Sequence, residues 1–398
     1  MKAFLICCFL ITSFGSFSQF EDESEDKPVF GGTNVIAQNA AGQVGVKSAE
    51  GKEIIPFVYS KIIENHLGLF VFKINKSNGY ERSYSLGYYN RQFKQILPCQ
   101  YNSLLALDEG YIIASQNSDK RFGLIDTIGR IIIPFEYEEM AAPSEGLYLT
   151  KLKGKYGFIS KKNHIVVDHE FTYASPFSEG LAAASKSGLI GYINRKGDFE
   201  IKEQFTSADD FSYGYAQVFF HNQTSIIDKN GIILFPFIFK SIHSVGNGQF
   251  VFEAGENLRK TLASTLPKLG IAQRPNELSQ YDSLVSSMDS EIDSETLEEK
   301  FMGILNLNKQ VIGGNEFQQV IHLISEEQNQ LYAVQRKGNS EENSSSIYNF
   351  ALMDGNGKLL TDFRFFEVKP EEKIVIEELN DQFVNYRVDA FGKLSKLN

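Results

Sequence analysis

The sequence predicts an all-β repeat protein, an array of short antiparallel β-hairpin units of about 34 residues. One spacing of residues recurs along the chain, and turn-forming residues separate short runs of β-branched and apolar residues. With Gly157 taken as position zero, eight copies start at Gly45, Gly87, Gly123, Gly157, Gly191, Ser225, Gly303 and Ala351. Self-similarity of this kind is the signature of repeat architectures, so the fold is predicted to be a stack of similar units.

A hairpin turn is predicted at the same place in each copy. Three residues after position zero comes a turn-forming side chain, at Ser48, Asn90, Asp126, Ser160, Asn194, Asp228, Asn306 and Asp354. Six residues after position zero come Gly51, Gly129, Asn163, Gly197, Gly231 and Gly357, with Phe93 and Lys309 as departures. This pairing indicates a type I turn closed by a residue in the left-handed region.

An aromatic residue stands fourteen residues after position zero in every copy, at Tyr59, Tyr101, Tyr137, Phe171, Phe205, Phe239, Phe317 and Phe365. It is expected to anchor the second half of each unit in the core. Four prolines lie three residues before it, at Pro56, Pro98, Pro134 and Pro236. They are expected to end the second strand, because proline cannot donate to a ladder. A second turn, such as Ser178-Glu179-Gly180, and a last strand complete the unit.

The run Lys155-Tyr156-Gly157-Phe158-Ile159, with Pro176-Phe177-Ser178-Glu179-Gly180-Leu181-Ala182 after it, resembles the WG-repeat family of bacterial proteins. The resemblance covers about 45–250 well and 300–398 loosely. The chain departs from the family in having no tryptophan, and the family's tryptophan position holds Val44, Leu86, Phe122, Tyr156 and Ile190. The resemblance implies β-rich binding or scaffold modules rather than enzymes.

The N-terminal segment has the form of a secretory signal peptide. Residues 1–18 contain one lysine, an apolar run and small residues near their end. Cleavage after Ser18 would leave Gln19 first and would remove Cys7 and Cys8. Only Cys99 would remain, so stability is expected to come from sheet burial rather than from an internal disulfide.

The charge balance argues against a nucleic-acid partner, because the net charge is −11. A local basic cluster is interpreted as a solvated strand face and consists of Lys151, Lys153, Lys155, Lys161 and Lys162. Beyond the signal peptide the sequence has no transmembrane run of about 18 or more apolar residues.

Five segments are predicted along the chain. The signal peptide is followed by an acidic lead-in and N-terminal strand at 19–40, and by six repeats at 41–255. A helical or partly disordered insertion is predicted at 256–300, where Leu258, Leu262 and Leu266 are spaced four apart. Residues 301–398 hold two degenerate repeats and a half-repeat cap. An open superhelical array is favoured, and a closed β-propeller-like ring is the alternative.

No catalytic, cofactor-binding or metal-binding residue is predicted, and the ligand-binding residues are left unknown. The six histidines show no zinc-ligand spacing, and His164 is assigned to exposed surface. Asp354 to Gly357 is interpreted as a hairpin turn rather than a calcium loop. Glu109, Glu145 and Glu179 recur before turn glycines and are interpreted as a solvated stripe rather than a glycosidase pair.

The function predicted from the sequence is that of an exported, non-catalytic binding or scaffold module with a protein or glycan partner in the bacterial cell envelope. Exposed aromatics, namely Tyr88, Tyr89, Tyr213 and Tyr215, are suggested to stack on sugars. The alternatives are an envelope carbohydrate-active enzyme with carboxylates from different repeats, and a purely structural envelope protein. Oligomeric state and peripheral membrane attachment stay open.

Overall fold

A computed structural model describes residues 26–75, 83–116, 120–220, 223–235, 237–255, 300–326, 329–336, 350–379 and 382–397. These residues form antiparallel β-strands joined by turns, and they contain no helix. The chain divides into unit 1, residues 1–177 with 195–197, and unit 2, residues 178–194 with 198–398. The predicted all-β repeat fold is therefore confirmed for the described residues.

Unit 1 contains sixteen strands in the residues described. They are Lys27–Pro28 (β1), Val35–Gln38 (β2), Val44–Lys47 (β3), Glu53–Tyr59 (β4), Lys61–Glu64 (β5), Gly68–Asn75 (β6), Ser83–Asn90 (β7), Gln95–Leu107 (β8), Tyr111–Gln116 (β9), Phe122–Asp126 (β10), Ile131–Tyr137 (β11), Glu139–Met140 (β12), Leu147–Leu152 (β13), Lys155–Ser160 (β14), Ile165–Phe171 (β15) and Tyr173–Ala174 (β16). Strands β1 to β4, β5 to β11 and β12 to β15 form three antiparallel sheets in which chain neighbours are sheet neighbours.

Unit 2 contains a further sixteen strands in its described part. They are Ala182–Ser185 (β17), Ile190–Ile193 (β18), Phe199–Phe205 (β19), Ser207–Ala208 (β20), Tyr215–Phe220 (β21), Gln223–Asp228 (β22), Ser241–Gly246 (β23), Gln249–Gly255 (β24), Lys300–Asn306 (β25), Val311–Glu326 (β26), Asn329–Arg336 (β27), Phe350–Asp354 (β28), Phe365–Lys369 (β29), Ile374–Leu379 (β30), Gln382–Val388 (β31) and Leu394–Lys396 (β32). Strands β17 to β19, β20 to β22 and β23 to β32 are again consecutive neighbours. None of these sheets closes on itself.

The predicted hairpin turn is confirmed in all eight copies. The residue six after position zero has a positive φ in every one, including the two departures, Phe93 at 58° and Lys309 at 61°. In the Asp126 copy the Gly129 amide donates to the Asp126 carbonyl, and the Asp126 side chain accepts from the Arg130 amide at 2.8 Å. These bonds hold the left-handed residue in place, so the turn tolerates side chains that disfavour the conformation.

The glycine at position zero is needed because the opposing strand bulges toward it. In the Gly123 copy, Leu124 pairs with Ile133 but Phe122 pairs with Tyr137, so three residues lie opposite one. A Cβ on Gly123 would lie 2.7 Å from the Ile133 carbonyl oxygen. The same close approach, within 2.8 Å, occurs in the copies that start at Gly45, Gly87, Gly123, Gly157 and Gly191.

The same bulge corrects the prediction made for the prolines. Pro56, Pro98 and Pro134 lie inside β4, β8 and β11 and do not end them. Each falls in the bulged stretch where the ladder is interrupted, so its missing amide hydrogen removes no regular ladder bond. Pro236 lies outside the described residues.

Two copies lack this glycine, and both lose the regular second strand. After Ser225 only isolated bridges remain, Thr224 with Phe239 and Ile227 with Ile233. After Ala351 the pairing of β28 with β29 is reduced to one residue pair, Phe350 with Phe365. In the Ser225 copy the serine Oγ donates to the Phe235 carbonyl, the oxygen that approaches glycine elsewhere. A side chain at position zero is thus accompanied by loss of the ladder.

The aromatic residues at the fourteenth position are buried in every copy, as predicted. All eight are at most 5% exposed, and each lies opposite the residue that occupies the family's tryptophan position. The opposed pairs are Val44–Tyr59, Leu86–Tyr101, Phe122–Tyr137, Tyr156–Phe171, Ile190–Phe205, Thr224–Phe239, Met302–Phe317 and Phe350–Phe365. The core keeps a large ring on one side of each pair, so the repeat survives without tryptophan.

The helical component of the predicted fold class is wrong for the part of the chain that the structure describes. Residues 256–299 of the predicted insertion lie outside it, but Lys300, its last residue, begins β25. Gly255, the last residue of β24, pairs directly with Lys300. The chain therefore leaves the sheet at Gly255 and re-enters it beside the same point. The predicted signal peptide, residues 1–18, also lies outside the described residues.

The second turn of the repeats that start at Gly123 and Gly157 is a two-residue hairpin. At Glu145-Gly146 and Glu179-Gly180 both central residues have positive φ, which matches the twist of the flanking strands. The serine before each pair also reaches the next repeat of its own unit. Ser144 Oγ donates to the Phe177 carbonyl at 2.5 Å, and Ser178 Oγ donates to the Phe211 carbonyl at 2.7 Å.

Candidate functional site

The aromatic residues suggested for sugar stacking are mostly core residues. Tyr88 is fully buried, and its hydroxyl donates to the Leu67 carbonyl at 2.8 Å. Tyr89 is buried, and its hydroxyl lies 2.9 Å from that of Tyr59. Tyr215 packs edge-on against the Phe250 ring. Tyr213 is 57% exposed and Tyr215 is half-buried, so the predicted exposure is wrong for Tyr88 and Tyr89.

The turn-tip glutamates form ion pairs rather than a purely solvated stripe. Lys161 lies 3.0 Å from Glu109, Arg195 lies 3.1 Å from Glu145, and Lys229 lies 3.1 Å from Glu179. Each cation lies four residues after position zero of its own copy. That copy is the second one along the chain after the copy that contains the glutamate. The pairs connect hairpin turns at the surface, where each contributes about 0–1 kcal/mol to stability. They also neutralise part of the basic cluster, since Lys161 belongs to it.

The histidines do not converge on a metal site. Among the described residues no group of three or more His, Cys, Asp or Glu side chains could hold an ion. His164 is exposed, as predicted. His169 packs against the Tyr137 ring at 5.8 Å, and its Nε2 lies 2.9 Å from Thr150 Oγ1. Burial lowers the pKa of His169, although the charges of Asp168 and Glu136 act in the opposite direction.

This lowered pKa predicts a loss of stability in mild acid. In the unfolded chain a histidine has a pKa of about 6.5, so it binds a proton at a pH where folded His169 is still largely neutral. The free energy of unfolding should therefore be highest above the pKa of the unfolded histidine. It should decrease as the pH falls from that pKa toward the lower pKa of folded His169. We expect His169→Gln to reduce the decline in Tm between about pH 7.5 and pH 5.5 in thermal unfolding. His164→Gln is the matched control, and an equally steep decline in both variants would contradict the assignment.

Unit 2 contains a cleft of about 440 Å3, assembled from four separated hairpin segments. Residues 247–249, 329–331, 354–360 and 390–391 contribute to its wall. The polar side chains that line it are Asn247, Gln249, Asn329, Gln330, Asp354 and Asn356. The apolar side chains are Leu331, Leu360, Ala390 and Phe391. The volume lies within the range of roughly 300–1,000 Å3 that is typical of small-molecule sites.

Hydrogen bonds hold the amide side chains of this cleft in fixed orientations. Gln249 Oε1 accepts from the hydroxyl of Tyr332, a fully buried residue, at 2.5 Å. Gln249 Nε2 donates to the Gly355 carbonyl at 2.7 Å. On β27, Gln330 Oε1 lies 2.6 Å from His322 Nε2. A site whose polar groups are already oriented loses less conformational entropy when a ligand binds.

Asp354 combines the predicted turn role with a place in the cleft wall. Its Oδ1 accepts from the amides of Asn356 and Lys358, each at 2.9 Å, as the hairpin turn requires. The turn interpretation is therefore confirmed. The sequence did not indicate the cleft, because its residues come from four turns that are up to 144 positions apart and share no motif. The signal that the sequence does contain is an excess of Asn and Gln in or beside these turns, at Asn247, Gln249, Asn329, Gln330 and Asn356.

No helix in the described part of the chain is long and apolar enough to cross a membrane. Cys99 is half-buried and has a free thiol, whose pKa is raised by burial.

Comparison with known proteins identifies one family. The model of the WG containing repeat matches four consecutive segments, residues 87–118, 122–156, 156–189 and 190–222. No curated protein matches the chain.

Two solved structures show weak similarity. "Dihydro-heme d1 dehydrogenase NirN in complex with DHE" is 11% identical, covers 92% of this chain and 72% of its own, and has a TM-score of 0.26. A protein of unknown function from Bacteroides caccae is 12% identical, covers 50% and 91%, and has a TM-score of 0.21. At TM-scores this low, neither similarity defines a common fold.

Proposed function

We propose that the chain is an exported, non-catalytic binding module of the cell envelope, and the match of residues 87–222 to the model of the WG containing repeat supports this proposal. In this proposal the repeats are the scaffold, and the cleft of unit 2 holds a protein or glycan partner. The observation that carries the proposal is the preorganised polar lining of the cleft. In it the Nε2 and the Oε1 of Gln249 each form a hydrogen bond within the protein. A ligand site needs polar groups whose orientation is fixed before the ligand binds.

A non-catalytic role is supported by the chemistry of the cleft wall. Glycoside hydrolysis requires two carboxyl groups across one cleft, whereas Asp354 is the single carboxylate among the residues that line this one. Export is supported by the composition of residues 1–18.

The proposal is tested by retention of envelope components on the mature chain, residues 19–398. Immobilised protein is incubated with native envelope extract, and the bound protein and carbohydrate are both identified. The cleft variant carries Phe391→Ala and Asn356→Ala, two exposed positions whose truncation leaves the turns intact. Phe383→Ala, also exposed but outside the cleft, is the control. We expect the parent and the control to retain a component that the cleft variant loses by at least tenfold.

A second variant separates the cleft from the insertion. The adjacency of Gly255 and Lys300 allows residues 256–299 to be replaced by a short turn. We expect this variant to retain the ligand. Loss of retention in the shortened variant, with retention unchanged in the cleft variant, would overturn the assignment to the cleft. Retention by none of the proteins would overturn the binding function itself.

A further inference from the structure

We propose that the cleft of unit 2 is a binding site for an uncharged sugar unit of a glycan chain, with Phe391 as the platform on which the sugar ring lies. This inference rests on the proposed function and narrows its ligand to one chemical class. It follows from the hydrogen-bonding character of the wall, its charge, and the position of one exposed ring.

The hydrogen-bonding groups of the wall match hydroxyl groups. Each carboxamide carries both donors and acceptors, and each sugar hydroxyl can donate and accept as well. Gln249 uses one N–H and one lone pair in its bonds with Gly355 and Tyr332, which leaves its second N–H and second lone pair for a ligand. Asn329 and Asn356 add two further carboxamides at the same wall. A ligand with several neighbouring hydroxyls would satisfy this set.

The charge of the wall selects against acidic ligands. No Lys or Arg side chain lines the cleft, and Asp354 contributes a negative charge. A carboxylate, sulfate or phosphate in the cleft would lose its hydration without meeting a cation, and it would be repelled by Asp354. The wall therefore favours neutral sugars over uronic acids and over phosphorylated or sulfated units.

An exposed aromatic ring completes the site. Phe391 is 75% exposed, the largest fraction among the exposed large hydrophobic residues described, and it lines the cleft beside Leu360. Its backbone amide donates to Asp389 Oδ1 at 2.9 Å, so the turn that carries the ring is ordered. One face of a pyranose presents C–H groups, and packing these on the ring would remove apolar surface from water. A lining that combines several carboxamides with one exposed ring suits a sugar better than a peptide, whose anchors need apolar pockets.

The test is isothermal titration of the mature chain with oligosaccharides of matched length. The neutral probes are oligomers of glucose, galactose, mannose and N-acetylglucosamine, and the acidic probe is an oligomer of galacturonic acid. We expect at least one neutral oligomer to bind, and the acidic oligomer to bind at least tenfold more weakly. Phe391→Ala should weaken the neutral complex at least tenfold, whereas Phe383→Ala, at an exposed phenylalanine outside the cleft, should leave its affinity unchanged.

Three outcomes would overturn the inference. They are preference for the acidic oligomer, equal affinity of the parent and Phe391→Ala for the neutral one, and absence of binding to every oligosaccharide. If no sugar binds but the cleft still retains an envelope protein, the proposed binding function is supported and only the assignment of the ligand as a sugar fails. If cleft-dependent retention is lost as well, both proposals fail together.

Discussion

Replacement of Phe239 by alanine is expected to destabilise unit 2 by about 3–5 kcal/mol. Phe239 is 1% exposed and belongs to a buried cluster rich in phenylalanine. Its ring centroid lies 5.2 Å from that of Phe252 and 6.4 Å from that of Phe235, in tilted and edge-on arrangements. Truncation would remove these contacts and leave a cavity that neighbouring rings can fill only in part.

Urea unfolding, followed by the fluorescence of the tyrosines and by hydrogen exchange of strands β23 to β25, measures the effect. Phe239→Leu, which keeps most of the volume, should cost clearly less than the alanine variant. Phe383→Ala is the matched control, because Phe383 is 62% exposed and its truncation should change stability by no more than about 0.5 kcal/mol. A loss below about 1 kcal/mol for Phe239→Ala would contradict the anchoring role of the fourteenth-position aromatic.

That anchoring role could be predicted from the sequence because it depends on a residue type at a fixed spacing. The turn positions were predictable for the same reason, since Asp, Asn and Ser favour the first turn position wherever they occur. The proline prediction failed because it considered one strand at a time. Pro134 is tolerated inside β11 only because the ladder bulges there, and a bulge is a property of two paired strands.

The cleft could not be predicted because its residues are brought together by the sheet order of unit 2. Gln249 lies on β24, Gln330 on β27 and Asp354 at the end of β28, and only the pairing of these strands makes their ends neighbours. Phe391 lies in the last hairpin turn, where the sequence indicated only a half-repeat. Tyr88 and Tyr89 failed as candidates for sugar stacking for a simpler reason. They point to opposite faces of the same strand, and both faces are buried.

The second large effect is expected at position zero, where Gly157→Ala should destabilise unit 1 by about 2–3 kcal/mol. A Cβ on Gly157 would lie 2.8 Å from the Val167 carbonyl oxygen, 2.8 Å from the His169 nitrogen and 2.9 Å from the Asp168 carbonyl carbon. All three are backbone atoms, so no rotamer change can relieve the contact. Strand β15 would have to move away from β14.

The Ser225 copy indicates what a displacement of β15 away from β14 would produce. There the second strand is reduced to isolated bridges, and the serine hydroxyl donates to the carbonyl that would otherwise clash. Gly157→Ser should therefore cost less than Gly157→Ala, because serine can form the same hydrogen bond and alanine leaves the carbonyl without a partner. In both variants the amides of β15 should exchange faster than those of β13, as measured by hydrogen exchange with mass spectrometry.

Gly154→Asn, in the turn between β13 and β14, is the matched control. Gly154 has φ +77°, and no heavy atom lies within 4 Å of the place that a Cβ would occupy. Asparagine therefore meets no clash there and tolerates the left-handed backbone, so its cost should stay below about 1 kcal/mol. If Gly154→Asn and Gly157→Ala were equally costly, backbone conformation rather than the bulge would explain the glycine. If alanine were tolerated as well as serine, the loss of the second strand after Ser225 would need another cause, such as the sequence 232–240 itself.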